Sequence, residues 1–514
     1  MTSTDPHRRR EGLWPLVVAS NREPYQHLRS SDGTIKWRPT TGGVAVALDA
    51  LMRERGGVWI AHGSGSADRD VVDADDRVLV PPDNPSYQLR RLWLTPDEER
   101  HYYEGFANEG LWPLCHEAHV RPVFRPDDWK DYQRVNERFG VVIEEELPDP
   151  SAPVFIQDYH LALVAPALRA LRPDVKTALF WHIPWPNPAR LRICPWRRKL
   201  LSGLLANDLL AFQIERDRRN FIGAARAEIG ADVTRNTVRF NDHVTAVEAV
   251  PIGVDYDRIQ AISRDPSLQT DIERLRSELQ IETPIIGVGV DRLDYTKGIP
   301  ERLEALDLLL ARRPDLVGQL TFVQIGVPSR STIDSYVAVE DAIGRKVNAI
   351  NKQYPTAGGP VRYRKSVLKT KRLVALFRLA TFCVVSSLHD GMNLVAKEFV
   401  AAREDLDGVL VLSELAGAAQ ELHDALSINP YDIEGFADAL EYAVDMPLDE
   451  RQRRMRALRR VVAGRDVFRW ASDILEQLDS LDPRTLPPAP GKTPAALRRA
   501  QAARAVATAD VDQP

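Results

Sequence analysis

Long apolar runs, cysteine pairs and an excess of either charge are all scarce in this chain. Of its 514 residues only Cys115, Cys194 and Cys383 are cysteines. An odd, widely spaced set in apolar or aromatic surroundings fits neither a disulfide framework nor a zinc cluster, and reads as buried free thiols in a reducing compartment. No apolar run reaches the length needed to span a bilayer, so no membrane segment is expected. Arg8-Arg9-Arg10 near the start is not followed by an apolar stretch, so Met1–Glu11 reads as a tail and not as a secretion signal. The formal net charge of −5 argues against a general nucleic-acid binder. A cytoplasmic location is the expectation.

The length exceeds what one ordinary core accommodates and predicts two domains plus tails. Leu16–Ser20 reads as a strand ending in Asn21-Arg22-Glu23, followed by a polar hairpin-like segment around Gly33 and a helix from Val44 to about Arg53. Further strands are expected at Val58–Ala61, Arg77–Val80, Val154–Ile156, Thr177–Phe180 and Leu209–Phe212, with Val247–Val254 as the last strand of this half and the hinge. After a polar helical stretch the alternation restarts with strands at Ile285–Val290, Leu320–Ile325, Phe382–Ser387 and Val409–Leu412. Strands alternating with helices predict parallel sheets covered on both faces. The expected organisation is a tail over 1–13, a Rossmann-like domain over 14–253, a second over 254–460, a helix over 461–482 returning to the first domain, and a tail over 483–514. No internal repeat is visible.

The stretch Leu388–Glu398 follows an apolar strand and leads into a helix-forming run, a unit whose loop lies where ligands bind in open α/β sheets. Its helix start suits a phosphate, and Asp390 and Glu398 lie eight residues apart. Gly287-Val288-Gly289 is a failed dinucleotide fingerprint, because Arg292 stands where the third glycine belongs. The following Asp291–Gly298 holds two cations, Arg292 and Lys297; a diphosphate grip and a solvated loop with local ion pairs are both open on spacing alone. His182 closes a strand and reads as a hydrogen-bonded core histidine. Tyr103, Trp112 and Trp59 could stack on a sugar, although core packing is the default for isolated aromatics. The basic runs Arg362–Arg372 and Arg451–Arg460 read as solvated faces. His116-Glu117-Ala118-His119 lacks zinc-protease spacing, and no metal site is expected.

Together these segments resemble the trehalose-6-phosphate synthase family of retaining glycosyltransferases over roughly residues 15 to 480. The resemblance is carried by Ser20-Asn21-Arg22, Gly42-Gly43, Tyr103 with Trp112, Gln157-Asp158-Tyr159-His160, His182-Ile183-Pro184, Asp291–Gly298, Pro328-Ser329-Arg330, Asp390–Glu398, and Leu412-Ser413-Glu414 with Gly417-Ala418-Ala419. It implies an α/β GT-B fold, two doubly wound Rossmann-like domains facing across a cleft. It also implies metal-independent transfer of glucose, with retention, from an NDP-glucose to glucose 6-phosphate, with no cofactor beyond that co-substrate. Donor-base identity and oligomeric state are left open, and a separate phosphatase is expected to process the product.

By position, the resemblance assigns the catalytic set to Arg292, Lys297, Asp390 and His182. The donor would lie against Gly42, Gly43, Asn393, Leu394, Val395, Lys397 and Glu398, with its base near Ile325 and Leu368. The acceptor would lie against Arg22, Tyr103, Trp112, Asp158, Arg330 and His62. Three positions depart from the family pattern: His62 stands for a common tryptophan at the acceptor sugar, His389 for an arginine, and Trp185 for a phenylalanine. The His62 change keeps another phosphorylated acceptor in view, as in glucosylglycerol-phosphate synthases or cyclitol-coupling relatives.

Overall fold

The computed structural model describes residues 16–40, 43–117, 120–147, 152–329 and 333–481. The expected tails at 1–13 and 483–514 lie outside these residues.

The first half carries β1 (Leu16–Arg22), β2 (Tyr25–Arg29), β3 (Ile35–Pro39), β4 (Gly57–His62), β5 (Arg77–Val80), β6 (Tyr87–Leu92), β7 (Val154–Gln157), β8 (Thr177–Trp181), β9 (Leu209–Phe212), β10 (Asp232–Val233), β11 (Thr237–Phe240) and β12 (His243–Ala249). All but the β2–β3 hairpin join one sheet of order β10-β11-β12-β9-β8-β7-β1-β4-β6-β5. Its central strands run parallel, and antiparallel strands sit at both edges. The second half carries β13 (Ile285–Arg292), β14 (Leu320–Val327), β15 (Val361–Lys365), β16 (Phe382–Val385), β17 (Val409–Ser413) and β18 (Leu426–Ile428), all parallel in the order β15-β14-β13-β16-β17-β18. Unbroken apolar runs such as Leu16–Ala19 and Phe382–Val385 form these strands because helices cover both faces, and these residues are fully buried.

Several local readings are corrected. The strand expected at Val247–Val254 runs His243–Ala249 instead, and Val250–Val254 is the crossover between halves. Pro251 has no N–H for a ladder, and a Cβ on Gly253 would lie 2.1 Å from the Arg465 carbonyl oxygen, where the chain returns. The run Arg362–Arg372 begins as edge strand β15, and Arg362 is buried, donating to the carbonyls of Leu279 and Gln280. In the helix Leu448–Gly464, Arg459 is buried and donates to the carbonyls of Val400 and Ala401. Guanidinium groups that cap carbonyls are compatible with burial.

The helix Val467–Ser480 places Trp470 against Phe155 and Phe180 of the first sheet. Cys115, Cys194 and Cys383 are free and buried. Among the described residues no helix is long and apolar enough to cross a membrane.

Candidate active site

The loops at the carboxyl ends of both parallel sheets face each other, and the site is built where they meet. In the second half, β16 ends at Val385 and the chain turns through Ser386–Asn393 into the helix Leu394–Ala402. Asn393, with φ +81°, caps that helix by accepting from the Ala396 amide at 3.2 Å. The Leu394 and Val395 amides make no hydrogen bond within the described residues, as the first turn of a helix dictates.

Asp390 sits in the turn before the cap. Its Oδ2 accepts from Lys297 Nζ at 2.5 Å, from Ser387 Oγ at 3.0 Å and from Asn393 Nδ2 at 3.2 Å. Burial pushes the carboxyl up, but the Lys297 ammonium and these donors outweigh it and hold Asp390 well below the usual carboxylate range. Lys297 comes from the loop after β13. Ser386 Oγ donates between the carbonyls of Lys297 (3.1 Å) and Gly298 (2.8 Å), and accepts from Arg302 Nε at 3.0 Å. Arg302 is fully buried against Asp291 Oδ2 (2.7 Å) and Gln324 Oε1 (2.8 Å). This network ties the Lys297 loop to the Asp390 loop. Arg302 and Ser386 were not singled out from sequence. The usable signal is an arginine on the apolar stripe of Ile299, Leu303 and Leu306, where only a paired guanidinium belongs.

Glu398, on the same helix, is half-buried and has no hydrogen-bond or ion-pair partner among the described residues. Burial pushes its carboxyl up to about 7. Lys397 does not join the site. Its ammonium donates to the Ile252 carbonyl (2.7 Å) and to Glu421 Oε2 (2.6 Å), on the hinge side of the helix. Ile325 also stays inside its sheet: β14 is paired on both sides, and the Ile325 carbonyl accepts from Gln324 Nε2 at 3.1 Å. Leu368 lies half-buried just before the helix Thr370–Leu379.

The first half faces these groups. Arg22 ends β1 beside His62 at the end of β4, and Arg22 Nη2 donates to the Tyr103 hydroxyl at 2.7 Å. Tyr103 lies on Glu99–Leu111, wound as a π-helix, a rare winding often found at functional sites. Its ring stacks on His160 with centroids 5.6 Å apart. Asp158, at φ +74°, accepts from the amides of Tyr159 (2.9 Å) and His182 (3.1 Å). His182 Nε2 lies 2.9 Å from Gln157 Oε1, and burial holds the ring down at about 3, so it is neutral. His62 Nδ1 bonds the Leu92 carbonyl at 3.1 Å, and its buried Nε2 has no partner among the described residues. Behind Arg22, Glu23 pairs with the buried Arg91 at 2.8 Å and accepts from the Ser64 amide at 2.9 Å, which fixes the strand end.

The halves touch at named points. The Arg292 guanidinium lies 5.0 Å from the Trp112 ring centre, joining a cation of the second half to an aromatic of the first. A Cβ on Gly391 would lie 2.2 Å from the His182 carbonyl oxygen, so only glycine permits this approach. Gly43 opens the helix Gly43–Arg55, while Gly42 and Arg330 lie outside the described residues. No three His, Cys, Asp or Glu side chains converge to hold a metal among the described residues.

Residues 15–480 match the sequence pattern of glycosyltransferase family 20. The chain belongs to glycosyltransferase family 20. It is 39% identical over 488 residues to the trehalose-6-phosphate synthase of Mycolicibacterium smegmatis, covering 93% of this chain and 95% of that one. A Burkholderia xenovorans alpha,alpha-trehalose-phosphate synthase (UDP-forming), solved in complex with glucose-6-phosphate, superposes with a TM-score of 0.81 at 32% identity, covering 91% and 100% of the two chains. An E. coli structure bound with UDP-2-fluoro glucose superposes equally well, at a TM-score of 0.81 and 31% identity over 91% and 99%. The two facing sheets of this family 20 chain are a GT-B fold, as the resemblance implied.

Proposed function

We propose that this chain is a trehalose-6-phosphate synthase, transferring glucose with retention from UDP-glucose to glucose 6-phosphate in the cytoplasm. The observation that carries this reading is the contact of Arg292 with Trp112. It sets a cation suited to a leaving diphosphate against an aromatic linked through the rings of Tyr159 and His160 to Tyr103, which pairs with Arg22 in a set suited to a sugar phosphate. The relatives that bind glucose-6-phosphate and UDP-2-fluoro glucose support the two substrates.

Each group has a physical task in this scheme. Arg292, Lys297 and the free Leu394 and Val395 amides neutralise the diphosphate as the glycosyl–oxygen bond breaks, the main electrostatic demand of the step. Asp390, ionised and anchored by Lys297, accepts from glucosyl hydroxyls. Glu398 accepts from the ribose diol, for which an unpartnered carboxylate is the natural group. The acceptor hydroxyl attacks C1 on the face the diphosphate leaves, and its proton passes to the departing phosphate oxygen. The configuration is retained without the carboxylate pair that glycosidases use. The residues supply the positive charge, so the scheme calls for no cofactor and no metal. The product is a phosphate ester for a phosphatase to hydrolyse.

Incubation of the purified protein with UDP-, GDP- and ADP-glucose, each against glucose 6-phosphate, glycerol 3-phosphate or no acceptor, tests the reading by mass spectrometry. Trehalose 6-phosphate from UDP-glucose and glucose 6-phosphate is expected. Product with glycerol 3-phosphate alone would assign the related acceptor specificity instead, and no transfer to glucose 6-phosphate from any donor would sink the proposal.

A further inference from the structure

His389 immediately precedes Asp390, yet its side chain makes its hydrogen bonds to the other half of the molecule. Nδ1 lies 2.7 Å from the carbonyl oxygen of His116, the last residue of the helix Trp112–His116. Nε2 lies 3.0 Å from Nη2 of Arg216, in the first turn of the helix Glu215–Ile229. A carbonyl can only accept and a guanidinium can only donate. The ring must therefore donate at Nδ1 and accept at Nε2, which defines the neutral Nδ1–H tautomer. An imidazolium would keep the first bond but turn a second N–H toward a guanidinium. Two residues on, Gly391 packs on the His182 carbonyl, so the loop crosses the cleft twice within three residues.

We propose that His389 is a cross-cleft latch: its neutral ring registers the Asp390 loop against the first half, and its protonation breaks the Arg216 bond and loosens the closed arrangement. The consequence for catalysis rests on reading this cleft as the glycosyl-transfer site. His389 is a positioning residue, acting through Asp390, which would touch the donor.

The groups around the ring do not all pull the same way. Burial and the Arg216 charge disfavour the imidazolium, while the His116 carbonyl, Glu117 and Asp390 favour it. The His116 ring, which meets His389 edge-on with centroids 6.4 Å apart, is itself held neutral by burial. Asp217 Oδ1 lies 3.8 Å from Arg216 Nε, and burial pushes this carboxyl up to about 7, so it also takes up a proton over the acid range and leaves the Arg216 charge less compensated. The balance holds His389 below the usual histidine range. The latch is therefore closed at neutral pH, and the closed arrangement loses its advantage only on the acid side of the ordinary histidine value of about 6.5, where a released ring takes up a proton that the latched one resists.

The test compares wild type, His389→Gln and Arg216→Met between about pH 7.5 and 5.5, with kcat read at saturating substrates and the radius of gyration read by small-angle scattering. Loss of one such hydrogen bond corresponds to roughly a twofold to tenfold change in the closed population. Wild type is expected to lose kcat by about that factor on the acid side and to expand in parallel. His389→Gln, with no ring to titrate, is expected to have a lower kcat at neutral pH and a shallower acid limb, with only what Asp217 and Glu398 contribute remaining. Arg216→Met also starts lower, but without the opposing guanidinium its acid limb is expected to flatten. A variant that merely weakened the fold would lower kcat without reshaping the profile. The proposal is overturned if His389→Gln keeps the wild-type acid limb and expansion, or if Arg216→Met leaves the limb unchanged. Should wild type transfer no glucose with any donor and acceptor, the functional reading fails, and the scattering profiles alone still decide whether the latch exists.

Discussion

Glu398 shows how a single side chain carries a pH signature. Its carboxyl is unpartnered among the described residues and is pushed up to about 7 by burial, so near neutrality the free protein holds it partly protonated. In the proposed donor site only the carboxylate would accept from both ribose hydroxyls. Donor binding therefore strengthens as pH rises through about 7 and weakens below it, where the folded carboxyl stays protonated and an exposed one would not. We expect the UDP-glucose dissociation constant, measured calorimetrically, to rise between about pH 8 and 6 by up to roughly tenfold per unit below the pKa. Glu398→Gln should bind more weakly at high pH and show a flat profile over this range. A wild-type profile that stays flat would remove Glu398 from the ribose. The neighbouring Lys397 shows the limit of reading residues from a motif. Successive positions on a helix are separated by about 100°, so Lys397 and Glu398 leave different faces, and only packing shows that Lys397 serves the hinge.

At the scale of elements, the loop between β16 and the Leu394–Ala402 helix is fixed by its closest approach. A methyl group at Gly391 would lie 2.2 Å from the His182 carbonyl, well inside van der Waals contact. Gly391→Ala is therefore expected to push the halves apart, at a cost of about 1–3 kcal/mol. The variant should lose roughly fivefold to 150-fold in kcat/KM and show a larger radius of gyration, with its far-UV circular dichroism unchanged. Full activity would show that the loop can move without consequence. The parallel strands and the Asp390 loop were legible because unbroken apolar runs and a glycine-containing turn are local signals. Strand β15 was not, because its Arg362, Arg364 and Lys365 make it read as a solvated charge run. The burial of Arg362 depends on the carbonyls of Leu279 and Gln280, more than 80 positions away. The sequence likewise gave no sign that the helix bearing Tyr103 would be wound as a π-helix.

For the whole molecule, the two halves are joined by the crossover at Val250–Val254 and the returning chain at Arg465–Val467, whose amide donates to the Val254 carbonyl at 3.2 Å. Lys397 clamps this joint to the donor helix through Ile252 and Glu421, and Arg465 holds the other oxygen of Glu421 at 2.6 Å. Lys397→Met removes two hydrogen bonds but leaves Glu421 paired to Arg465, so the loss should be about 1–3 kcal/mol and not the larger cost of an orphaned buried carboxylate. Denaturant unfolding should show this as a lower midpoint, with activity at neutral pH largely kept once the protein is folded. An unchanged midpoint would mean that the clamp contributes nothing.

The sequence by itself determined that there would be two sheets of mostly parallel strands with chemistry at their carboxyl ends, because apolar periodicity and turn residues act over a few positions. It also supplied the residue types of the site: the cations Arg292 and Lys297, the carboxylates Asp390 and Glu398, and the Arg22–Tyr103–Trp112 set. Only the tertiary structure decided which of these meet. Arg292 over Trp112, His389 between His116 and Arg216, and Lys397 turned to the hinge are contacts between residues more than a hundred positions apart, except for the link of Lys397 to Glu421. Such contacts depend on how one half is seated against the other. That seating follows from the fit of two whole surfaces, which no local pattern along the chain encodes.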